Sequence, residues 1–164
     1  MEVTAKGILY KIADIFNLKR DTIADRLKLQ KTIYLLQEFG LNLGYGFGWY
    51  KYGPYSSDLV KDAYAVLYAE KDRYKQETAN WKFSKESKER FEEFKERLSH
   101  ILNDPEKLEL LASVHFVREW NPQINEDNVT NQFQQYKQCY FDKKRIRPED
   151  IKEAFDISKQ LVSS

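Results

Sequence analysis

Apolar side chains recur along most of this chain at three- and four-residue steps, the period of a helix with one buried face. Ile8, Ile12, Ile15 and Phe16 form such a stripe and predict a helix over 3–16. Asp21 and Thr22 can cap a second helix, with Ile23, Leu27, Ile33, Tyr34, Leu36 and Phe39 as its apolar positions. Gly40 suits a left-handed stop at its end. Pro54, followed by Ser56, Ser57 and Asp58, reads as the first turn of a third helix. Leu59, Ala63, Val66 and Leu67 carry its apolar face to about Glu77. Trp81 to Phe83 reads as a short extended connector, and Ser84 to Leu102 as a charged helix with Phe91, Phe94, Leu98, Ile101 and Leu102 buried. Asp104-Pro105 opens the most apolar helix, where Leu111, Ala112, His115 and Phe116 share a core face, and Asn121-Pro122 closes it. Glu126 to about Phe141 and Pro148 to Val162 read as the last two helices. The pattern predicts an all-α fold of six to seven helices, one domain over 1–164, with at most a short β-hairpin near residues 43–52.

The helical period breaks once. Five of the six glycines fall between Gly40 and Gly53, and Gly44, Gly46 and Gly48 alternate with Tyr45, Phe47 and Trp49. In an extended chain alternate side chains point to opposite faces, so one face is bare backbone and the other a row of rings. Two readings follow: a groove floor or partner-binding edge, and a strand packing its rings on the helical core. The spacing is neither a dinucleotide fingerprint nor a phosphate loop, because it lacks a preceding strand, a downstream acid and a Gly-Lys-Ser/Thr step.

Composition narrows the class. Hydrophobic residues make up 41% and charged residues 32% of 164 positions, a globular balance, and the net charge of +1 supplies no global field toward nucleic acid or membrane. No stretch approaches the roughly 18 apolar residues of a membrane span, and the N-terminus lacks a basic-then-apolar leader. One cysteine, Cys139, excludes an internal disulfide and fits a reducing compartment. The expected location is the cytoplasm, with no membrane partner.

Two motifs stand out together. Leu27-Lys-Leu29-Gln30-Lys31-Thr-Ile33-Tyr34-Leu35-Leu36 is followed by Trp49-Tyr50-Lys51-Tyr52-Gly53-Pro54-Tyr55-Ser56. This pairing resembles the Panacea-domain family, which includes the SocA-like and YwgA-like proteins, over about residues 24–68. Leu108 to Ser113 resembles a later helix of the same family. The resemblance implies a small, mostly helical, cytoplasmic prokaryotic protein. SocA-like members act as antitoxins or proteolytic adaptors, so it further implies a protein partner such as a toxin, a protease or a replication component, in a toxin–antitoxin or phage-defence setting.

The residues themselves support a site in the same place. Gln30 and Lys31 end a helical face beside a loop with many backbone groups to satisfy, and rings offer contact area at low entropy cost. Gln30, Lys31, Trp49, Lys51, Tyr52 and Ser56 are the candidate partner-binding residues; capping and loop anchoring is the structural reading of the same set. Charged pairs such as Lys85–Glu89, Glu86–Arg90, Lys88–Glu92 and Glu93–Arg97, each contributing ~0.2–0.5 kcal/mol, solvate a helix face rather than build a site. Lys143, Lys144, Arg145 and Arg147, with Lys137, Tyr136 and Tyr140 nearby, form the basic cluster a nucleic-acid reading would use. That alternative is a winged-helix-like regulator with Leu27 to Phe39 entering a groove and Arg26, Lys28 and Lys31 exposed on it. His100 and His115 lie fifteen residues apart and Cys139 stands alone, so no metal centre, cofactor or enzyme activity is expected, and His115 reads as a core histidine.

Overall fold

Six helices begin on a side chain that replaces a missing helical hydrogen bond. Thr4, Thr22, Ser56, Ser84, Asp104 and Asn125 each accept from a backbone N–H three residues on. The structure, a computed structural model, describes residues 3–137 and 146–161. Among them are eight α-helices: α1 (Ala5–Phe16), α2 (Ile23–Glu38), α3 (Ser57–Tyr64), α4 (Lys71–Glu77), α5 (Lys85–Arg97), α6 (Pro105–Trp120), α7 (Glu126–Tyr136) and α8 (Pro148–Leu161). Strands β1 (Gly48–Tyr50) and β2 (Gly53–Tyr55) pair antiparallel as the one sheet described. The fold is predominantly all-α.

Two helices form the centre. α2 is buried without a break from Leu29 to Leu36, and α6 from Leu108 to Phe116. They lie side by side in the same sense: Lys28 reaches Asn103, Tyr34 reaches Glu119 and Glu38 approaches His115. α8 covers α6, β2 packs on both central helices, and α1 packs on α3 and α4. Phe16, Phe39, Phe91 and Phe94 fill one end of the core, with neighbouring rings 5.5–5.9 Å apart. Leu111, Ala112, His115 and Phe116 are buried on α6 as their spacing predicts.

Chain ends of helices follow local rules. Gly40 takes φ +115°, while Gly40 N–H and Leu41 N–H close on Gln37 O and Leu36 O. Arg90 donates from α5 to the Phe39 carbonyl rather than pairing with Glu86 as its spacing predicts. Of the four predicted pairs on α5 only Glu93–Arg97 forms, at 2.7 Å.

Five expectations change. Pro54 lies in β2 rather than in a helical first turn; it pairs opposite Trp49, and Ser56 caps the helix that follows. The single helix expected to Glu77 is two, because a wide turn over 65–69, closed by Glu70 N–H on Ala65 O at 2.7 Å, re-aims the chain. That turn keeps Val66 buried and then buries Tyr74, with no glycine or proline to announce it. The charged helix stops at Arg97, and Leu98, Ile101 and Leu102 enter the core from turns. The hairpin runs over 48–55, not 43–52. Upstream of it, residues 41–47 are unpaired, yet Leu41, Leu43, Tyr45 and Phe47 face the core while Asn42, Gly44 and Gly46 face solvent. The helix expected to reach about Phe141 stops at Tyr136, with Lys137 already extended, and the expected end at Val162 lies outside the described residues.

Candidate partner-binding site

Two glutamines, seven residues apart on one face of α2, tie down the glycine-rich segment at both ends. Gln37 Oε1 accepts from Leu43 N–H and Tyr45 N–H, and its Nε2 donates to Tyr45 O. Gln30 Nε2 donates to Ser56 O and its Oε1 accepts from Ser56 N–H, both at 2.9 Å. A primary amide copies the donor–acceptor pair of a neighbouring strand, so the chain enters α3 as though held in a sheet. Ser56 Oγ then accepts from Leu59 N–H at 3.2 Å. The sequence argument for Gln30 applies equally to Gln37, which it passed over.

Lys51 and Tyr52 make the two-residue hairpin turn. Gly53 follows at φ +99°, where a Cβ would come 2.4 Å from Ser113 Oγ on α6, so only glycine fits. Lys31 donates from Nζ to Pro54 O at 2.6 Å. It is 3% exposed, not on an exposed helix face as the sequence reading had it. Its flanks explain this: the hairpin folds back over α2 and encloses it. Burial pulls its pKa down to about 8, with Glu109 opposing the shift and Lys137 adding to it. Glu109 is wholly buried on α6 and accepts from Lys137 Nζ at 2.6 Å. Lys137 therefore turns inward rather than joining a basic surface. The sequence reading missed Glu109, a lone acid inside the most apolar helix; that placement was its available signal.

Beside this seam, a cavity of about 370 Å³ opens between the first turns of α2, the hairpin and α3. Leu27, Leu29, Val60 and Ala63 supply apolar lining, and Tyr52, Tyr55, Gln30 and Lys31 complete the hairpin side. Ile23, 48% exposed, stands at the mouth with Arg20 and Arg26. The lining holds three cations and no carboxylate. Arg26 donates to Arg20 O at 3.1 Å, and the Arg20 guanidinium lies 4.9 Å from the Tyr64 ring centre. Neither arginine is in an ion pair among the described residues.

Of the nominated residues, Gln30, Lys31 and Tyr52 line the cavity and Ser56 lies buried behind them. Lys51 is exposed at the hairpin tip, its ammonium 5.4 Å from the Tyr52 ring centre. Trp49 is on the other face: it shares a side of the hairpin with Pro54 and lies 5.7 Å from Phe116 and 6.5 Å from Phe133, ring centre to ring centre. Lys143, Lys144, Arg145, Tyr140 and Cys139 lie outside the described residues. Arg147 is held by both Asp150 carboxylate oxygens at 2.9 and 3.0 Å. α2 is enclosed by the core over the span that a groove-entering helix would need exposed.

A second polar cluster lies one to two turns farther along α2. Tyr34 donates from its hydroxyl to Glu119 Oε1 at 2.7 Å, and His115 Nε2 is 3.9 Å from Glu38 Oε2. His115 Nδ1 is 2.7 Å from Ser158 Oγ, which also accepts from Arg118 at 2.8 Å. Burial lifts the Glu119 carboxyl to about 7, helped by its hydrogen bond with Glu38. Burial also pushes Glu38 up, but the neighbouring His115 imidazole and a hydrogen bond with Glu119 hold it below the usual range. Burial and the bond to Glu119 drive the Tyr34 phenol up, so it stays a donor. Glu38, His115 and Glu119 are the described residues arranged so that they could hold a metal ion.

No protein-family model matches the chain. No curated protein and no solved structure matches it either. No described helix is long and apolar enough to cross a membrane.

Proposed function

We propose that this chain is a non-enzymatic protein-interaction module that captures an acidic, apolar segment of a partner protein in the cavity beside α2. The observation that carries this is the lining: an apolar floor ringed by Arg20, Arg26 and Lys31 without one carboxylate. An acid-flanked apolar side chain satisfies both features at once, and an unpaired arginine favours a carboxylate it can grip with two bonds. The walls are pre-set by Gln30, Gly53 and Ser56, which lowers the ordering cost of binding. The resemblance to the Panacea-domain family fits this reading and suggests an antitoxin or proteolytic adaptor, whose partner is a toxin, a protease or a replication component in the cytoplasm. A winged-helix-like DNA-binding role draws less support, because Arg147 and Lys137 are held by acids and α2 is enclosed.

The test is selection of a random displayed-peptide library on the protein, counter-selected on Arg26→Glu and Ile23→Asp. Peptides with an apolar residue beside Asp or Glu should emerge, and fluorescence anisotropy should show at least about tenfold weaker binding to Arg26→Glu, one charge-assisted contact's worth. Both variants should keep the parent melting temperature. Peptides that bind all three proteins alike would overturn the site. Duplex DNA that binds with steep salt dependence, and no peptide at all, would favour the regulator.

A further inference from the structure

At the far end of the α2–α6 seam, three metal-ligating side chains converge from residues that are distant in sequence. One ligand atom from each of Glu38, His115 and Glu119 lies within 4.8 Å of those of the other two. His115 is 3% exposed, and its Nε2 faces this space, 3.9 Å from Glu38 Oε2. That separation is longer than an ordinary hydrogen bond and leaves the Nε2 lone pair room to reach an ion. We infer that Glu38, His115 and Glu119 form a three-ligand site for a divalent first-row transition ion, with zinc as the best fit.

Ligand chemistry, supporting contacts and size all agree. One imidazole and two carboxylates suit zinc and its neighbours, whereas magnesium and calcium take oxygen sets. Two of the three ligands are already aimed by other residues. Ser158 holds His115 at Nδ1 and is itself held by Arg118; Tyr34 holds Glu119 through Oε1, leaving its second oxygen for the ion. On binding, His115 carries its proton on Nδ1 and donates it to Ser158 Oγ, which frees the Nε2 lone pair. Ligands of a tetrahedral zinc stand about 3.3 Å apart, so the widest separation here must close by roughly 1.5 Å, a move within reach of glutamate rotamers. Glu38 is seven residues beyond Lys31, about 10 Å along α2, so the site stands apart from the partner cavity. Glu119 is the exposed member of the set, so solvent reaches the site from its side.

The probe is the metal alone, added to untagged protein dialysed against EDTA. Calorimetry with Zn²⁺ should give one equivalent, Co²⁺ should develop visible absorption of a four- or five-coordinate site, and excess Zn²⁺ should raise the melting temperature. Glu38→Gln and Glu119→Gln should each weaken Zn²⁺ at least about tenfold while retaining the parent circular dichroism. His100→Gln, which removes the other histidine, should leave binding unchanged. Nitrogen-15 spectra of the His115 ring should show Nε2 shifting on Zn²⁺ addition and Nδ1 keeping its proton, a readout that does not depend on any variant folding. The site is refuted by the absence of saturable Zn²⁺ or Co²⁺ uptake, by Ca²⁺ or Mg²⁺ binding in place of Zn²⁺, or by Zn²⁺ binding that both glutamate variants retain.

Discussion

The same two helices carry two polar clusters of opposite character. Around Lys31, the charged and amide groups are joined by direct bonds in a dry seam, Gln30 with Ser56, Lys31 with Pro54 and Glu109 with Lys137, while the Ser113 hydroxyl beside Gly53 has no partner. Around Glu38, two carboxyl groups face one another, one of them exposed, and His115 Nε2 lies 3.9 Å from the nearer. The first arrangement is a structural lock, which orders the hairpin and the cavity wall. The second is held in place by Tyr34, Ser158 and Arg118 but not completed by them. Polar groups closed on one another by short bonds build the wall of a site; ligating groups held near one another at wider spacing leave room for an ion.

The comparison breaks first at Glu109. Glu109→Gln removes the counter-charge from a buried lysine and should cost about 3–5 kcal/mol, read as a lower urea midpoint with unchanged slope. A midpoint near the parent's would show that the seam is not a lock. Gln30→Ala comes next. It strands the buried N–H and C=O of Ser56, and should cost about 2–3 kcal/mol and speed hydrogen exchange at the Ser56 amide.

Lys31 sharpens the contrast through pH. Its pKa falls from the ordinary 10.5 when unfolded to about 8 when folded. Between those values the unfolded chain binds more protons, so stability rises with pH across the window and the gain is lost as pH falls through 8. From pH 8 to 10 the parent should gain about 2 kcal/mol relative to Lys31→Met, in which that slope is absent. Parallel stability profiles for the two proteins would show that Lys31 is not desolvated. The smallest loss is expected at the open end: Glu119→Gln, free of metal, should cost no stability near neutral pH, because partial burial already disfavours the ionised carboxyl and an amide can still accept from Tyr34. A loss as large as that at Glu109 would make the two ends alike.

Legibility in the sequence follows the range of the interaction. The caps at Thr22 and Asp104, the stop at Gly40 and the buried faces of α5 and α6 depend on neighbours within about four residues, and the spacing predicted them. The wide turn over 65–69 was not legible, because Tyr64 to Glu70 continue a good helical pattern and only the need to bury Tyr74 re-aims it. Gln30, Lys31, Tyr52 and Ser56 do lie together beside one cavity, but the spacing reads them as a contact surface, whereas burial makes most of them its scaffold. Trp49 was grouped with them by closeness in sequence and separated by the alternation of the strand.

What the chain alone determined is the helical class, the caps and the aromatic hairpin at the centre of the candidate site. Tertiary structure decided the rest. Lys137 meets Glu109 across 28 residues and Tyr34 meets Glu119 across 85. Which charges are dehydrated, and which carboxylates share a space, depends on helices brought together by burying their apolar faces. That packing is set by the whole core, so no local pattern around Glu38, Glu109 or Glu119 could announce it.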